Sequence, residues 1–297
     1  MCKDTGNTQI PDTEWYRSPV SRRQFAAGGG ALALAACTGM GTNGDTAAGG
    51  GGLAENTVII DTPDGDADAV FIHPASGAHP AIVFWPDIAG VREANRMMAR
   101  RVAAEGYAVL LVNPYYRDVA GEQFADFASF RAGGGFDKVG PWRDKLSSQA
   151  VMRDATALVG WLDGQQAVDT ARGIGSEGYC MGGPFTVYTA SAVPGRVKAA
   201  ASFHGGGLVR EDEQSPHKLL TGTPDTSYLF AIAQDDDADA PENKTILRGA
   251  ADAANVRAEV DVYAGDHGWT VPDSPAYDRA AAERAYAAKM ALYGSAL

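Results

Sequence analysis

The chain reads as an α/β protein: a mostly parallel, doubly wound sheet with helices on both faces. Apolar runs of strand length alternate with helix-compatible segments from residue 81 onward, the pattern of a parallel sheet with crossover helices. Beyond its N-terminal segments, the 297-residue length suits one domain with a sizeable core, because single domains of this class run to about 250 residues. Residues 81–85 form a continuous apolar run fit for a buried parallel strand, followed by a loop and a helix over 92–105. Residues 108–112 make the next strand, and 137–145, with Pro141 and Trp142, a cap or connection over a pocket. Strands follow at 172–179, 197–203, 227–233 and 257–263, with a helix over 185–192 and a closing helix from near Tyr277.

Gly178-Tyr179-Cys180-Met181-Gly182-Gly183 has the form of a nucleophile elbow with cysteine in the place of serine, set between a strand and a helix. Glycines suit such a turn because its backbone is strained and neighbouring chains pass close. The helix behind it aims free N–H groups and the positive end of its dipole at the sulfur, which favours thiolate. Cys180 is therefore the candidate nucleophile, the competing reading being a buried structural cysteine.

In α/β-hydrolases nucleophile, acid and histidine follow one another in that chain order. His204, His217 and His267 come after Cys180. His267 lies in a loop between the last strand and the closing helix, where that order needs the base. His204, at a strand end before Gly205-Gly206-Gly207, precedes every candidate acid and is expected to border the pocket or serve structurally. His73, His79 and His217 read as loop or surface histidines. The strand at 227–233 opens into Gln234-Asp235-Asp236-Asp237. Counting from the strand end favours Asp236 and counting back from Pro241 favours Asp237, so both stay open, with Asp236 preferred.

Together with Pro86-Asp87-Ile88-Ala89-Gly90, Ser202-Phe203-His204-Gly205-Gly206 and His267-Gly268-Trp269-Thr270-Val271-Pro272-Asp273, the elbow resembles the dienelactone hydrolase family from Asn56 to Leu297. The resemblance implies an α/β-hydrolase fold over 55–297 and a Cys180-Asp236-His267 triad that cleaves carboxylic esters or lactones without a cofactor. Its architecture draws oxyanion-hole amides from the early loop and from the residue after the nucleophile, here Ile88 and Met181. Where relatives carry a glutamate, this chain has Asp87, implied to hold or release the thiol proton; capping the next helix is the other reading. Arg117 stands where an arginine meets the carboxylate of an anionic substrate. A second arginine common in relatives just after the histidine is missing from 268–272, and Trp269 is expected beside the pocket. The competing function is a catalytically inactive hydrolase-fold lipoprotein acting as a binding module, against which the intact elbow, histidine and acid speak together.

Gly173-Ile174-Gly175-Ser176-Glu177-Gly178 matches a dinucleotide fingerprint, but its glycines fall along a strand rather than in a turn opening a helix. No metal-ligand spacing occurs. The net charge of −12, without a basic patch, argues against nucleic acid. Ser21-Arg22-Arg23-Gln24-Phe25 reads as a twin-arginine signal over 1–36, and Leu34-Ala35-Ala36-Cys37 resembles a lipobox that would lipidate Cys37. A flexible Gly-rich tether over 37–54 would follow. Export to the periplasm or cell envelope with a lipid anchor is the expectation. Of the 3 cysteines, Cys180 alone would then remain in the folded domain, and an unpaired thiol in an oxidising compartment points to use as a nucleophile.

Overall fold

A computed structural model describes residues 52–297. The signal, the lipobox with Cys37 and most of the tether lie outside the described residues. Eight strands form one sheet: β1 (Leu53–Thr62), β2 (Gly65–Pro74), β3 (Ala81–Trp85), β4 (Ala108–Val112), β5 (Ile174–Tyr179), β6 (Val197–Phe203), β7 (Ser227–Ala233) and β8 (Ala258–Tyr263). Their order is β1-β2-β4-β3-β5-β6-β7-β8. From β4 to β8 all neighbours are parallel, as the strand–helix alternation predicts.

The antiparallel pairings at the other edge, β1 with β2 and β2 with β4, are not part of that expectation. This hairpin starts at Leu53, inside the segment read as tether, and the apolar run of β1 is only Val58-Ile59-Ile60, set among the exposed Asn56, Thr57 and Asp61.

Helix α1 (Glu93–Ala104) and the C-terminal α9 (Arg279–Ala296) cover one face of the sheet. On the other face lie α4 (Ser148–Asp163) and α5 (Gly183–Ala192), with α8 (Asn243–Ala254) packed beside α5. Every side chain of β3 and β4 is buried. Full burial of a Val, Leu, Ile or Phe contributes about 1.5–3 kcal/mol, so the apolar central strands stabilise the middle of the sheet. Asp278 caps α9 by accepting from Ala281 N at 2.8 Å, which starts that helix two residues after Tyr277.

The long connection from β4 to α4 carries α2 (Phe127–Ala132) and α3 (Gly135–Arg143). Phe124, Phe130 and Val139 pack there with Ile88, Ala89 and Tyr115, so this segment has its own apolar cluster seated on the loop after β3. The remaining short helices are α6 (Pro216–Leu219) and α7 (Gln234–Asp239).

Strand order reverses beside β3, the kind of switch point where ligands bind beyond the carboxyl ends of parallel strands. Register then aligns the loops. Trp85 pairs with Gly178, Tyr179 with Phe203, Phe203 with Ala231, and Ala233 with Tyr263. The segments after β3, β5, β6, β7 and β8 therefore emerge along one rim.

Candidate active site

Cys180 stands at the sharp turn after β5 in the left-handed region, φ 53°. Close packing explains its glycines: a Cβ on Gly178 would lie 2.0 Å from the Gly182 carbonyl oxygen, and one on Gly182 would lie 2.5 Å from that of Trp85. The strand behind the cysteine is pinned by a fully buried polar group. Glu177 accepts from Lys289 Nζ at 2.9 Å and from Tyr293 Oη at 2.8 Å, and Tyr179 Oη donates to it at 3.2 Å. Burial holds Lys289 below the usual lysine range, with Glu177 opposing.

The three adjacent carboxylates after β7 lie in α7, not in an open loop. A helix turns about 100° per residue, so each points elsewhere. Asp235 Oδ1 accepts from the His267 backbone N–H at 2.8 Å, Asp236 Oδ2 meets His267 Nδ1 at 2.7 Å, and Asp237 is paired with Lys244 at 2.6 Å. Gln234 N also donates to Gly265 O at 3.0 Å, tying α7 to the histidine loop.

His267 Nε2 is buried without a hydrogen-bond partner among the described residues. Burial opposes a charge on this ring. Hydrogen bonding to Asp236 and attraction to Asp236 and Cys180 outweigh it and push the imidazole up to about 11.

Cys180 and His267 share a cavity of about 520 Å³. Its apolar walls are Ile88, Phe136, Leu146, Met181, Pro184 and Phe185, and its cationic lining residues are Arg143 and the raised His267. Phe136 and Arg143 come from α3 and Leu146 from just beyond it; within the 137–145 segment read as a cap or connection, Arg143 lines the pocket, whereas Trp142 packs against Tyr115, ring centroids 5.5 Å apart. Tyr115 Oη donates to the Ile88 carbonyl at 2.8 Å, bracing the loop after β3. Neither the Ile88 nor the Met181 amide donates to a protein acceptor among the described residues. No group of His, Cys, Asp or Glu suited to a metal occurs there either.

Four residues expected around the pocket do not line it. Arg117 pairs with Asp64 at 2.7 Å and Asp154 at 2.6 Å, so carboxylates of the chain itself occupy the guanidinium. Asp87 is buried in a two-pronged pairing with Arg92, 2.8 Å on each oxygen, and also accepts from Ala89 N; it neither faces the cavity nor caps α1, whose cap position is Arg92. Trp269 is fully buried, stacked on Tyr263 at 4.8 Å. His204 is fully buried behind Cys180. In each case the sequence places the residue near the rim, but its partners hold the side chain away from the cavity: distant ones for Arg117 and His204, nearby ones for Asp87 and Trp269.

Arg92 is a residue that local sequence reading overlooks. Fully buried, it also grips Asp273 at 2.7 and 2.8 Å, and Asp273 accepts from Phe127 N at 2.9 Å. One guanidinium thus ties the loop after β3, the histidine loop and the start of α2. A planar fork of five donors suits such a junction.

Sheet order, elbow and rim-clustered residues define an α/β-hydrolase. Comparison narrows this: the sequence profile of the dienelactone hydrolase family matches residues 67–297, and the chain belongs to that family. It is similar to the "Putative carboxymethylenebutenolidase" of Salmonella typhi, 26% identical over 238 residues, covering 78% of this chain and 84% of the relative. Among solved structures, it is similar to the "Putative Dienelactone Hydrolase" of Klebsiella pneumoniae subsp. pneumoniae MGH 78578, with TM-score 0.68 and 22% identity over 82% of this chain and 98% of that one. A dienelactone hydrolase-like promiscuous phosphotriesterase, P91, from metagenomic libraries aligns with TM-score 0.65 and 22% identity over 83% of this chain and 99% of its own. The chain is accordingly a hydrolase of the ester or lactone type.

Proposed function

We propose that the protein hydrolyses carboxylic esters or lactones through a covalent thioester on Cys180, with His267 as base and then acid and Asp236 as the group that orients the imidazole. The observation that carries this reading is the 2.7 Å contact of Asp236 with His267 Nδ1, which leaves Nε2 toward the thiol. With its proton held by His267, the Cys180 sulfur attacks the carbonyl carbon, and the negative charge gathering on the carbonyl oxygen is met by the free amides of Ile88 and Met181. The carbon–oxygen ester bond breaks, and the leaving alkoxide takes its proton from His267. Water then gives a proton to His267 as it attacks the thioester, releasing the acid and restoring the thiol. The mostly apolar cavity suits a small, largely uncharged acyl part.

The test is mass spectrometry after brief incubation with p-nitrophenyl acetate. Expected is acetyl mass on the Cys180 peptide in the wild type, its accumulation in His267→Gln, and none in Cys180→Ala. Wild-type turnover by a folded Cys180→Ala variant would end this reading.

The N-terminal motifs support a cellular setting: export by the twin-arginine route and a lipid tether on Cys37 in the cell envelope. A single cysteine, Cys180, in the described residues suits such a compartment. None of the helices among the described residues is long and apolar enough to cross a membrane. Cys37→Ser should move the protein from the membrane to the soluble fraction, and replacing Arg22 and Arg23 with lysine should block export. A Cys37→Ser protein that still fractionates with membranes would count against the lipid.

A further inference from the structure

Three non-glycine residues among those described have positive φ, and two of them, Cys180 at 53° and His204 at 40°, stand side by side; the third, Asn255, ends a helix. Tyr179 pairs with Phe203 across β5 and β6, so the residues that follow leave the sheet together. Backbone held in this region by a residue with a Cβ costs of order 1–3 kcal/mol and persists where its surroundings over-determine it. Here the surroundings can be named. Cys180 N donates to His204 Nδ1 at 3.1 Å, and Gly206 N donates to Cys180 O at 3.3 Å. Both polar backbone groups of the cysteine are thus held by the segment that begins at His204.

His204 is itself anchored on its far side. Its own N–H donates to Ala231 O at 2.8 Å, and its Nε2 lies 2.7 Å from Thr270 Oγ1, in the loop that carries His267. Because Cys180 N is a donor, Nδ1 must be the acceptor, so the ring proton sits on Nε2 and points at Thr270. Two titratable side chains face this ring, His267 edge-on at 5.1 Å between centroids and Tyr179 at 6.2 Å, with Trp269 at 6.0 Å. Burial, and then the charge on His267, keeps His204 well below the usual imidazole range. A ring locked in one neutral tautomer has no proton to exchange with substrate.

We propose that His204 is a positioning residue that bridges the two halves of the site, holding the left-handed backbone of Cys180 with Nδ1 and the His267 loop, through Thr270, with Nε2. Loss of the bridge lets the sulfur and the imidazole drift apart. Displacements of about 1 Å at reacting atoms cost on the order of 10²-fold in rate. The consequence for turnover rests on the esterase reading above; the consequence for the thiol does not.

The experiment compares His204→Phe, His204→Asn and Thr270→Val in the full chain. Circular dichroism verifies folding, kcat and KM are measured on p-nitrophenyl acetate, and iodoacetamide alkylation of Cys180 is timed at pH 7. Phe keeps the bulk and removes both contacts; Asn Oδ1 restores an acceptor near the place of Nδ1. Expected are a kcat on the order of 10²-fold lower in His204→Phe with KM nearly unchanged, and recovery of about tenfold in His204→Asn, one hydrogen bond's worth. Thr270→Val should lose about tenfold, with alkylation slowed in the same rank order. Folded Phe and Asn variants of equal rate, or wild-type kcat in His204→Phe, would overturn the proposal. If His204→Phe does not fold, wild-type kcat and alkylation in Thr270→Val overturn it instead. If the wild type turns over no ester, the esterase reading fails, and alkylation alone decides the bridge: slower in Phe and recovered in Asn supports it, equal rates sink it.

Discussion

Asp236 meets His267 through its side chain at 2.7 Å, while Asp235, one residue earlier, meets the same histidine through its backbone N–H at 2.8 Å. Two consecutive carboxylates thus fix both the ring and the chain that bears it, and the third, Asp237, is turned away to Lys244.

Asp236→Asn should therefore lower kcat/KM by on the order of 10²–10⁴-fold, since an amide no longer stabilises the imidazolium or selects its tautomer. Asp237→Asn should stay within about threefold of the wild type. Steady-state kinetics on one activated ester checks both, and the reverse ranking would move the orienting acid by one residue.

The pH dependence of stability follows from the raised imidazole. Its folded value of about 11 lies above the ordinary 6.5. The stabilisation from the charged ring is thus fully present below about 6.5 and is lost as pH rises toward 11. The difference in urea midpoint between wild type and His267→Gln should accordingly be larger at pH 6 than at pH 10. A difference that grows with pH would contradict the sign.

Arg117 pairs with Asp64 and Asp154 rather than reaching the cavity, so Arg117→Gln should act on stability. Breaking a largely buried pair costs about 3 kcal/mol, with kcat and KM unchanged in the folded fraction. Denaturant unfolding alongside kinetics separates the two. A raised KM for carboxylated esters, with neutral esters unaffected, would restore Arg117 to substrate binding.

Lys289→Met should destabilise by about 3–5 kcal/mol, because it leaves Glu177 charged and buried without its cation. Lys289→Met combined with Glu177→Gln should recover part of that loss, since the remaining amide is neutral and keeps Tyr179 and Tyr293 as neighbours. Urea melts of the single and double variants give the coupling. Additive losses would show that the buried pair is not coupled.

Much of this protein is legible in local chemistry. The apolar runs that became β3, β4, β6 and β7 need only the burial of both faces of a parallel strand, and the elbow around Cys180 needs only glycines where backbones nearly touch. His267 is placed by chain order, because the fold delivers its loops to one rim in sequence. Tertiary structure decided what depends on rotation and on distant partners. It formed α7 and so directed Asp235, Asp236 and Asp237 three ways, and it spent Arg117 and Asp87 on internal ion pairs. It also built the antiparallel hairpin of β1 and β2 at the sheet edge, a pairing that depends on which strands meet. Finally, it set His204 between Cys180 and Thr270, contacts 24 and 66 residues apart in the chain. A side chain's address is local, but its direction is chosen by whichever partner, however remote, best satisfies its charge and hydrogen bonds once water is excluded.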